Sequence, residues 1–266
     1  MIFGCCGSMV AREKDGTGVE IAEQLREIGY DYIEMSLAHM MALSSSDFDA
    51  LKKRLDHSGL RCEACNNFFP PHIRLTGEDV KMGQILDYVK KAFDRASRFG
   101  VAVIVFGSAG AKNVPEDFPK HQAWIQIVQL LQAIDPIAKE HGITVAIEPL
   151  NKLESNIVNT VAEALRLARE ANGEQIKLVV DYYHLMMEKE SPQIITKAGD
   201  FVRHLHFAEV EGRVFPKKIK RDYEVFFANL KEIGYTERLS IEAFSENIVA
   251  DASQSLSLLK KLESGV

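Results

Sequence analysis

Residues 139–150 read Lys-Glu-His-Gly-Ile-Thr-Val-Ala-Ile-Glu-Pro-Leu, and this stretch contains the unit from which the fold is built. A polar helix end is followed by Gly142, then by an apolar run over residues 143–147, and then by Glu148. Glycine is favoured just after a helix because it adopts positive φ without a Cβ clash. A short apolar run bounded by such a signal indicates a buried strand. The stretch therefore predicts a helix, a turn and a strand that ends on a carboxylate.

The same order of helix, glycine and short strand recurs along the chain. The glycines predicted to end helices are Gly29, Gly59, Gly100, Gly142, Gly173, Gly199 and Gly234. The predicted strands cover residues 2–6, 30–34, 60–65, 102–106, 144–148, 177–180, 202–206 and 238–242. Strict alternation of strands and helices implies a parallel sheet with right-handed crossovers. Eight such units are typical of one closed (β/α)8 TIM barrel, and we predict a single domain spanning residues 1–266.

A doubly wound open sheet is the alternative fold, but its signature is missing. Gly4-Cys-Cys-Gly7 stands where a dinucleotide-binding sheet would carry Gly-x-Gly-x-x-Gly after its first strand. Two pairs resemble capping boxes that start helices in the barrel, Ser46 with Asp49 and Thr160 with Glu163.

Composition and charge exclude several classes of partner. Hydrophobic residues make up 46% of the chain and charged residues 26%, which is ordinary for a globular protein. The net charge of −6 argues against nucleic acid, which is bound through basic surfaces. The first residues lack the basic and apolar regions of a secretion signal, and no apolar run is long enough to span a membrane. We therefore predict a cytoplasmic protein without a nucleic-acid or membrane partner.

The pair Cys62-Glu-Ala-Cys65 has the spacing of a redox or zinc motif. It lies in a predicted strand, where residues three apart face opposite sides of the sheet. We therefore interpret Cys62 and Cys65 as reduced, buried cysteines rather than as a redox or metal site.

Four consecutive predicted strands end on a side chain that can bind a metal: Glu148, Asp181, His206 and Glu242. Alternation along a strand places Ala146 and Glu148 on the same face, toward the barrel axis. Three converging carboxylates repel one another, and a divalent cation at their centre removes that cost. Three oxygen ligands and one imidazole favour Mn²⁺, Mg²⁺ or Co²⁺ over a thiolate-rich zinc site. The sequence therefore predicts a single-metal site at the C-terminal mouth of the barrel.

From strand four to strand eight the chain resembles the sugar-phosphate isomerase and epimerase family, the xylose-isomerase-like barrels. Within that family it is most similar to ketose 3-epimerases of the D-tagatose 3-epimerase type. The matching segments are Val105-Phe-Gly-Ser-Ala-Gly110, Ile147-Glu-Pro-Leu-Asn151 with Glu154 and Asn156, Asp181-Tyr-Tyr-His184, His204-Leu-His-Phe-Ala-Glu209, Gly212-Arg213 and Ser240-Ile-Glu242. The resemblance implies the same four metal ligands, with Mn²⁺ as first choice and Zn²⁺ added to the alternatives. It also implies a homo-oligomer, either a dimer or a tetramer.

The resemblance implies that Glu148 and Glu242 also form the acid–base pair, and that Glu154, His184 and Arg213 hold the oxygens of the sugar. The implied reaction is epimerisation of a ketose at C3 by proton transfer through a metal-bound enediolate. Two carboxylates on opposite faces of the sugar would remove and return the proton. No glycine-rich phosphate loop is visible, which favours an unphosphorylated sugar.

Other functions remain open at this point. The same site would suit an aldose–ketose isomerase, a hydroxypyruvate-type isomerase or an inositol-ketone dehydratase, because loop side chains decide the substrate. An endonuclease IV-type DNA-repair nuclease shares the barrel but needs further histidines, and only His72 and His184 are spare. A non-catalytic sugar-binding role is the remaining alternative. We also consider Glu34, Cys65, Asn66 and Lys112 as pocket residues, and His204 as a buried support one layer below His206.

Overall fold

The computed structural model describes residues 1–265 and contains a closed barrel of eight parallel strands in chain order. Pairing of the first strand with the last closes the sheet. The strands are β1 Ile2–Cys6, β2 Tyr32–Ser36, β3 Arg61–Asn66, β4 Val103–Phe106, β5 Thr144–Ile147, β6 Ile176–Asp181, β7 Val202–Phe207 and β8 Arg238–Ile241. The predicted (β/α)8 barrel is confirmed, although β2 begins two residues later than expected. The predicted domain limit at Val266 lies outside the described residues.

Helices surround the barrel and also occur in the loops at its mouth. They are α1 Ala22–Ile28, α2 Leu37–Ala42, α3 Ser45–Ser58, α4 Met82–Phe99, α5 Ala109–Lys112, α6 Lys120–His141, α7 Val161–Ala171, α8 Tyr182–Met187, α9 Ile194–Ala198, α10 Arg221–Glu232 and α11 Ile248–Ser264. None of these helices, over residues 1–265, combines the length and apolar character that crossing a membrane requires.

The helix ends follow the predicted signals at most positions. After α7, however, Asn172 adopts the left-handed conformation instead of Gly173. Asparagine tolerates positive φ, and Gly173 is needed for another reason: a Cβ there would lie 2.5 Å from Oδ1 of Asp135. The predicted cap at Thr160 is confirmed, since its hydroxyl accepts a hydrogen bond from the amide of Glu163.

The cap predicted at the start of α3 is displaced by two residues. The hydroxyl of Ser44, rather than that of Ser46, accepts a hydrogen bond from a first-turn amide, that of Asp47. Since α3 begins at Ser45, Ser46 already lies inside the helix and cannot cap it.

The barrel interior is lined by small and branched side chains around one aromatic ring. This inner core comprises Tyr32, Ala64, Val103, Val105, Ala146 and Val179. Val145 and Ile147 point the other way and pack in the larger core under the helices. The alternation predicted for β5 is therefore correct, and it directs the next residue, Glu148, toward the axis.

A bulge in β3 places its two cysteines on the same face of the strand, not on opposite faces as we predicted. Ile33 pairs with Cys62 but the next residue of β2 pairs with Ala64, so Glu63 is an extra residue in the ladder. The extra residue returns Cys65 to the side of Cys62, and their sulfur atoms lie 4.0 Å apart. Both are buried, free thiols, as we expected, but the reason given for separating them was wrong.

Candidate metal centre

Three of the four predicted metal ligands group with His184 at the C-terminal mouth of the barrel, and the fourth, His206, contacts two of them. Glu148 and Glu242 directly follow β5 and β8, while Asp181 and His206 lie within β6 and β7. Nδ1 of His206 is 2.7 Å from Oε1 of Glu148 and 3.4 Å from Oε2 of Glu242. One ligand atom each from Glu148, Asp181, Glu242 and His184 lies within 4.8 Å of the others. All of these side chains are buried.

The cluster has the chemistry of a cation site. Oδ1 of Asp181 accepts hydrogen bonds from the amides of Tyr183 and His184, and so caps the start of α8. Oδ2 of the same carboxylate is buried and has no hydrogen-bond partner among the described residues. A buried carboxylate oxygen without a partner is costly, and a cation would remove the cost. The residues present therefore fit a divalent metal held by oxygen and imidazole ligands.

Electrostatics distinguish the two glutamates. Burial is the main cause that raises the pKa of Glu148, and the nearby carboxylate of Glu242 adds to it. Burial acts on Glu242 in the same direction, but the charges of His206 and Arg213 outweigh it and lower the pKa of Glu242 to about 2. The pKa of His206 is raised because surrounding carboxylates, Glu34 foremost, outweigh the effect of its burial. Two carboxylates of unequal basicity thus flank one imidazole, a pattern that suits proton transfer.

The three predicted sugar-binding residues border the same cluster. Arg213 binds the carboxylate of Glu242, lies 3.4 Å from Oε1 of Glu154 and stacks 4.7 Å above the ring of Tyr183. His184 is buried, and its Nδ1 lies 4.0 Å from Oε1 of Glu154. The structure therefore brings all three to the mouth.

The additional pocket candidates differ in their distance from the site. Nδ2 of Asn66 donates to Oε1 of Glu242 at 3.1 Å, so Asn66 borders the site. Nζ of Lys112 donates to the backbone oxygen of Glu148 at 3.1 Å, and its burial lowers the pKa of Lys112 to about 8. Cys65 was wrongly placed, because the β3 bulge turns it toward Sδ of Met40 under the helices.

Two candidates lie below the mouth rather than around it. His204 is fully buried one layer beneath His206, with ring centroids 5.0 Å apart, as we predicted. Glu34 comes from β2, and each of its carboxylate oxygens is hydrogen-bonded to one of these histidines of β7. Glu34 is therefore a support beneath the cluster and not a residue lining its opening.

Sequence reasoning assigned no role to two residues that shape the site. Nδ2 of Asn151 lies 2.8 Å from Nδ1 of His184 and donates to Oε1 of Glu154 at 3.0 Å. A Cβ on Gly107 would lie only 2.2 Å from Oε2 of Glu148, so the carboxylate occupies the space that a side chain would need. Both residues belong to the resembling segments, but only the three-dimensional packing reveals what they contact.

One of the two spare histidines that a nuclease of the endonuclease IV type could use joins the cluster, since His184 groups with the carboxylates at the mouth. His72 is exposed in the segment between β3 and α4. Glu209, which follows β7, accepts a hydrogen bond from Tyr223 and pairs with Lys220. Beside this cluster, the described residues contain one other group that could hold a metal, Cys6, Glu34 and His206, and neither group includes His72 or Glu209.

Comparison with known proteins places these features in a family. Residues 22–262 match the family model described as xylose isomerase-like TIM barrel. A ketose 3-epimerase of Arthrobacter globiformis is 28% identical over 98% of this chain and 90% of its own length. A D-psicose 3-epimerase of Agrobacterium fabrum is 26% identical over 84% of this chain and 78% of its own.

A solved structure of a D-psicose 3-epimerase in the presence of D-fructose has the same fold, with a TM-score of 0.88, 20% identity and full coverage of both chains. The curated relatives are sugar epimerases and isomerases, which confirms the predicted class of carbohydrate isomerase or epimerase. The family match spans most of the barrel and includes all four residues of the candidate metal centre. This chain belongs to the xylose isomerase-like TIM barrel family.

Proposed function

We propose that this chain is a metal-dependent ketose 3-epimerase that acts on a free sugar. One observation carries the proposal. Glu148 and Glu242 come from strands three places apart in the barrel, yet both carboxylates reach Nδ1 of His206, at 2.7 and 3.4 Å. A ligand bound beside that nitrogen would lie between two carboxylates contributed by different strands of the barrel. Relatives that are named ketose, D-psicose and L-ribulose 3-epimerases support the same reaction.

The metal ligands in this proposal are Glu148, Asp181, His206 and Glu242. Carboxylates and an imidazole without a thiolate suit Mn²⁺, our first choice, and also Mg²⁺ or Co²⁺, with Zn²⁺ a further alternative. When bound, the cation supplies a Lewis acid that makes the proton beside the ketone easier to remove. The buried Oδ2 of Asp181 has no hydrogen-bond partner among the described residues, although Arg213 lies 3.8 Å away, and this supports a cation at this position.

The acid–base pair is Glu148 with Glu242. One carboxylate takes the proton from C3, and the other returns a proton to the opposite face, which inverts that carbon. In the reverse reaction the two exchange roles. General acid–base catalysis of this kind contributes about 10²–10⁴-fold.

Sugar oxygens are held by Glu154, His184 and Arg213. The guanidinium of Arg213 offers donors in a planar fork, and the Glu154 carboxylate offers acceptors. A phosphorylated sugar is not favoured, because a phosphate group near the three carboxylates of the cluster would be repelled.

A product assay in D₂O tests the reaction. The chain is incubated with Mn²⁺ and a panel of ketohexoses and ketopentoses, and the products are identified by chromatography and NMR. We expect a C3 epimer that carries one deuterium at C3, because the proton passes through a carboxylate that exchanges with solvent. Conversion of aldoses to ketoses, with no epimer of any ketose, would instead identify an isomerase.

A matched pair of variants links the reaction to the site. Glu242→Gln removes the acid–base function at nearly constant shape, and we expect turnover to fall by at least about 10²-fold. Glu246→Gln makes the same change four residues later, on an exposed side chain, and should leave turnover unaltered. Equal activity of the two variants would remove Glu242 from the mechanism.

Three further properties stay predictions. The native metal is to be identified by elemental analysis of protein purified without added metal. The homo-oligomer, a dimer or a tetramer, is to be tested by light scattering, and the cytoplasmic location by cell fractionation.

A further inference from the structure

A fully buried carboxylate lies directly below the candidate metal centre. Glu34, on β2, accepts a hydrogen bond at Oε1 from Nε2 of His206 over 2.9 Å. Its Oε2 accepts from Nε2 of His204 at 2.7 Å and from the hydroxyl of Ser240 at 2.6 Å. An ionised carboxylate only accepts hydrogen bonds. Both imidazoles must therefore carry a proton on the nitrogen that faces Glu34.

This arrangement decides which nitrogen of His206 can bind a metal. A neutral imidazole with its proton on Nε2 has its lone pair on Nδ1. That lone pair faces Oε1 of Glu148 at 2.7 Å and Oε2 of Glu242 at 3.4 Å, and these oxygens are acceptors too. A bare Nδ1 and these oxygens would repel one another, so either a proton on Nδ1 or a metal cation must lie between them, and a bound cation takes the place of the proton. Glu34 thus turns the metal-binding nitrogen toward the carboxylates of the mouth.

We propose that Glu34 is a positioning residue that holds His206 in its Nε2–H form and so sets the affinity of the site for a divalent cation. The inference rests on the proposed function, because it requires the cation at the mouth. Carboxylates that accept a proton from a metal-binding histidine orient the ring and raise its basicity. Removing such a partner costs about 10–100-fold in metal affinity.

The donors to Glu34 continue across the barrel interior. The hydroxyl of Tyr32 lies 2.8 Å from Oγ of Ser240. Because the hydroxyl hydrogen of Ser240 is already donated to Glu34, the hydroxyl of Tyr32 must be the donor in its hydrogen bond with Ser240. Tyr32, Ser240 and Glu34 are all fully buried. Three donors on Glu34 explain how a carboxylate stays ionised inside the barrel, and Tyr32 provides a control position one bond away from them.

Mn²⁺ binding to the full chain tests the proposal without reference to turnover. Free Mn²⁺ is followed by its EPR signal during titration of the wild type, Glu34→Gln and Tyr32→Phe. A glutamine has one acceptor oxygen and cannot accept from both histidines, so we expect Mn²⁺ affinity to fall about 10–100-fold. Tyr32→Phe removes a hydroxyl that makes no hydrogen bond to Glu34 and keeps the three contacts of Glu34, so its affinity should stay near that of the wild type.

Unaltered affinity in Glu34→Gln, or an equal loss in both variants, would overturn the role of Glu34 in positioning His206. A wild type that binds no Mn²⁺ would overturn the metal site itself, and the proposed function with it. The two failures are therefore distinguishable.

A second measurement uses the unmodified protein and does not depend on whether a variant folds. In the Zn²⁺-loaded chain, ¹⁵N NMR of the imidazoles should show His206 with a proton on Nε2 and none on Nδ1. The Nδ1 resonance should shift when the metal is added. A proton on Nδ1 with a bare Nε2 would contradict the proposed hydrogen bond to Glu34.

Discussion

Replacing Gly107 with alanine should disable the site while leaving the barrel folded. The ideal Cβ of residue 107 lies 2.2 Å from Oε2 of Glu148, whereas ordinary contacts begin near 3.4 Å. The atom that must move is the end of a flexible side chain, not backbone, so the chain can accept the methyl group. The φ of Gly107 is not in the positive region, so alanine introduces no backbone strain. The carboxylate must therefore retreat by roughly 1 Å from its present position.

A displacement of this size is large for a catalytic group. Misplacement by about 1 Å can cost about 10²-fold in rate, which corresponds to about 2.7 kcal/mol in the barrier. The same movement disturbs the 2.7 Å contact between Glu148 and His206, so Mn²⁺ binding should weaken as well. Stability should change by no more than about 1 kcal/mol, since Gly→Ala at a compatible position restricts the unfolded chain.

The assay compares kcat/KM, Mn²⁺ affinity and the free energy of unfolding of Gly107→Ala with those of Gly83→Ala. A Cβ at residue 83, in α4, meets nothing within 4 Å, so this control adds the same methyl group in open space. If Gly107→Ala keeps wild-type kcat/KM and Mn²⁺ affinity, the packing of Gly107 against Glu148 does not constrain the site, and the reasoning fails.

Three other changes test separate parts of the structure. Arg213→Lys keeps a charge but loses the planar fork, so KM for the ketose should rise about tenfold in steady-state assays; an unchanged KM would deny Arg213 a role in binding. His141, at the end of α6, has a raised pKa because its bonds to the Ile137 carbonyl and Asp94 outweigh its burial, which acts to lower it. The charged form therefore stabilises the fold below pH 6.5, and this stabilisation is lost as pH rises through the folded pKa. In urea unfolding, His141→Gln should lower the free energy of unfolding by about 0.5–1 kcal/mol at pH 5.5 and by less at pH 8.5. A loss that grows toward pH 8.5 would reverse the assigned sign. Cys65→Ser places a hydroxyl in the core beside Met40 and should lower stability by about 1–3 kcal/mol in thermal unfolding, more than Cys65→Ala does; the opposite order would show that polarity at this position is not the cost.

Much of the fold could be predicted because its signals are local. The recurring helix, glycine and strand need only the period of hydrophobic residues and the freedom of glycine at positive φ. Alternation along β5 correctly predicted that Ala146 faces inward, and the same pattern predicted that Glu148 points toward the axis. Strand ends share one rim of a barrel, so the meeting of side chains from β5 to β8 also followed from chain order.

Other features could not be predicted because they depend on contacts between distant residues. The bulge at Glu63 arises from the pairing of β2 with β3. No pattern within the sequence of β3 indicates that Cys62 and Cys65 share a face. The local sequence around Arg213 did not show that its guanidinium would cross the mouth to Glu242 and Glu154.

The sequence by itself determined the eightfold alternation, the direction in which the strands present their carboxylates, and the order of the four proposed metal ligands around the rim. Only the tertiary structure decided how closely these groups approach and what supports them. In the sequence, Glu34 is only one acidic residue near the end of a strand. In the folded chain it packs against two histidines of β7, about 170 residues further along. The burial and the hydrogen-bond partners of a residue depend on segments that are distant in the chain, so its sequence neighbours do not determine them.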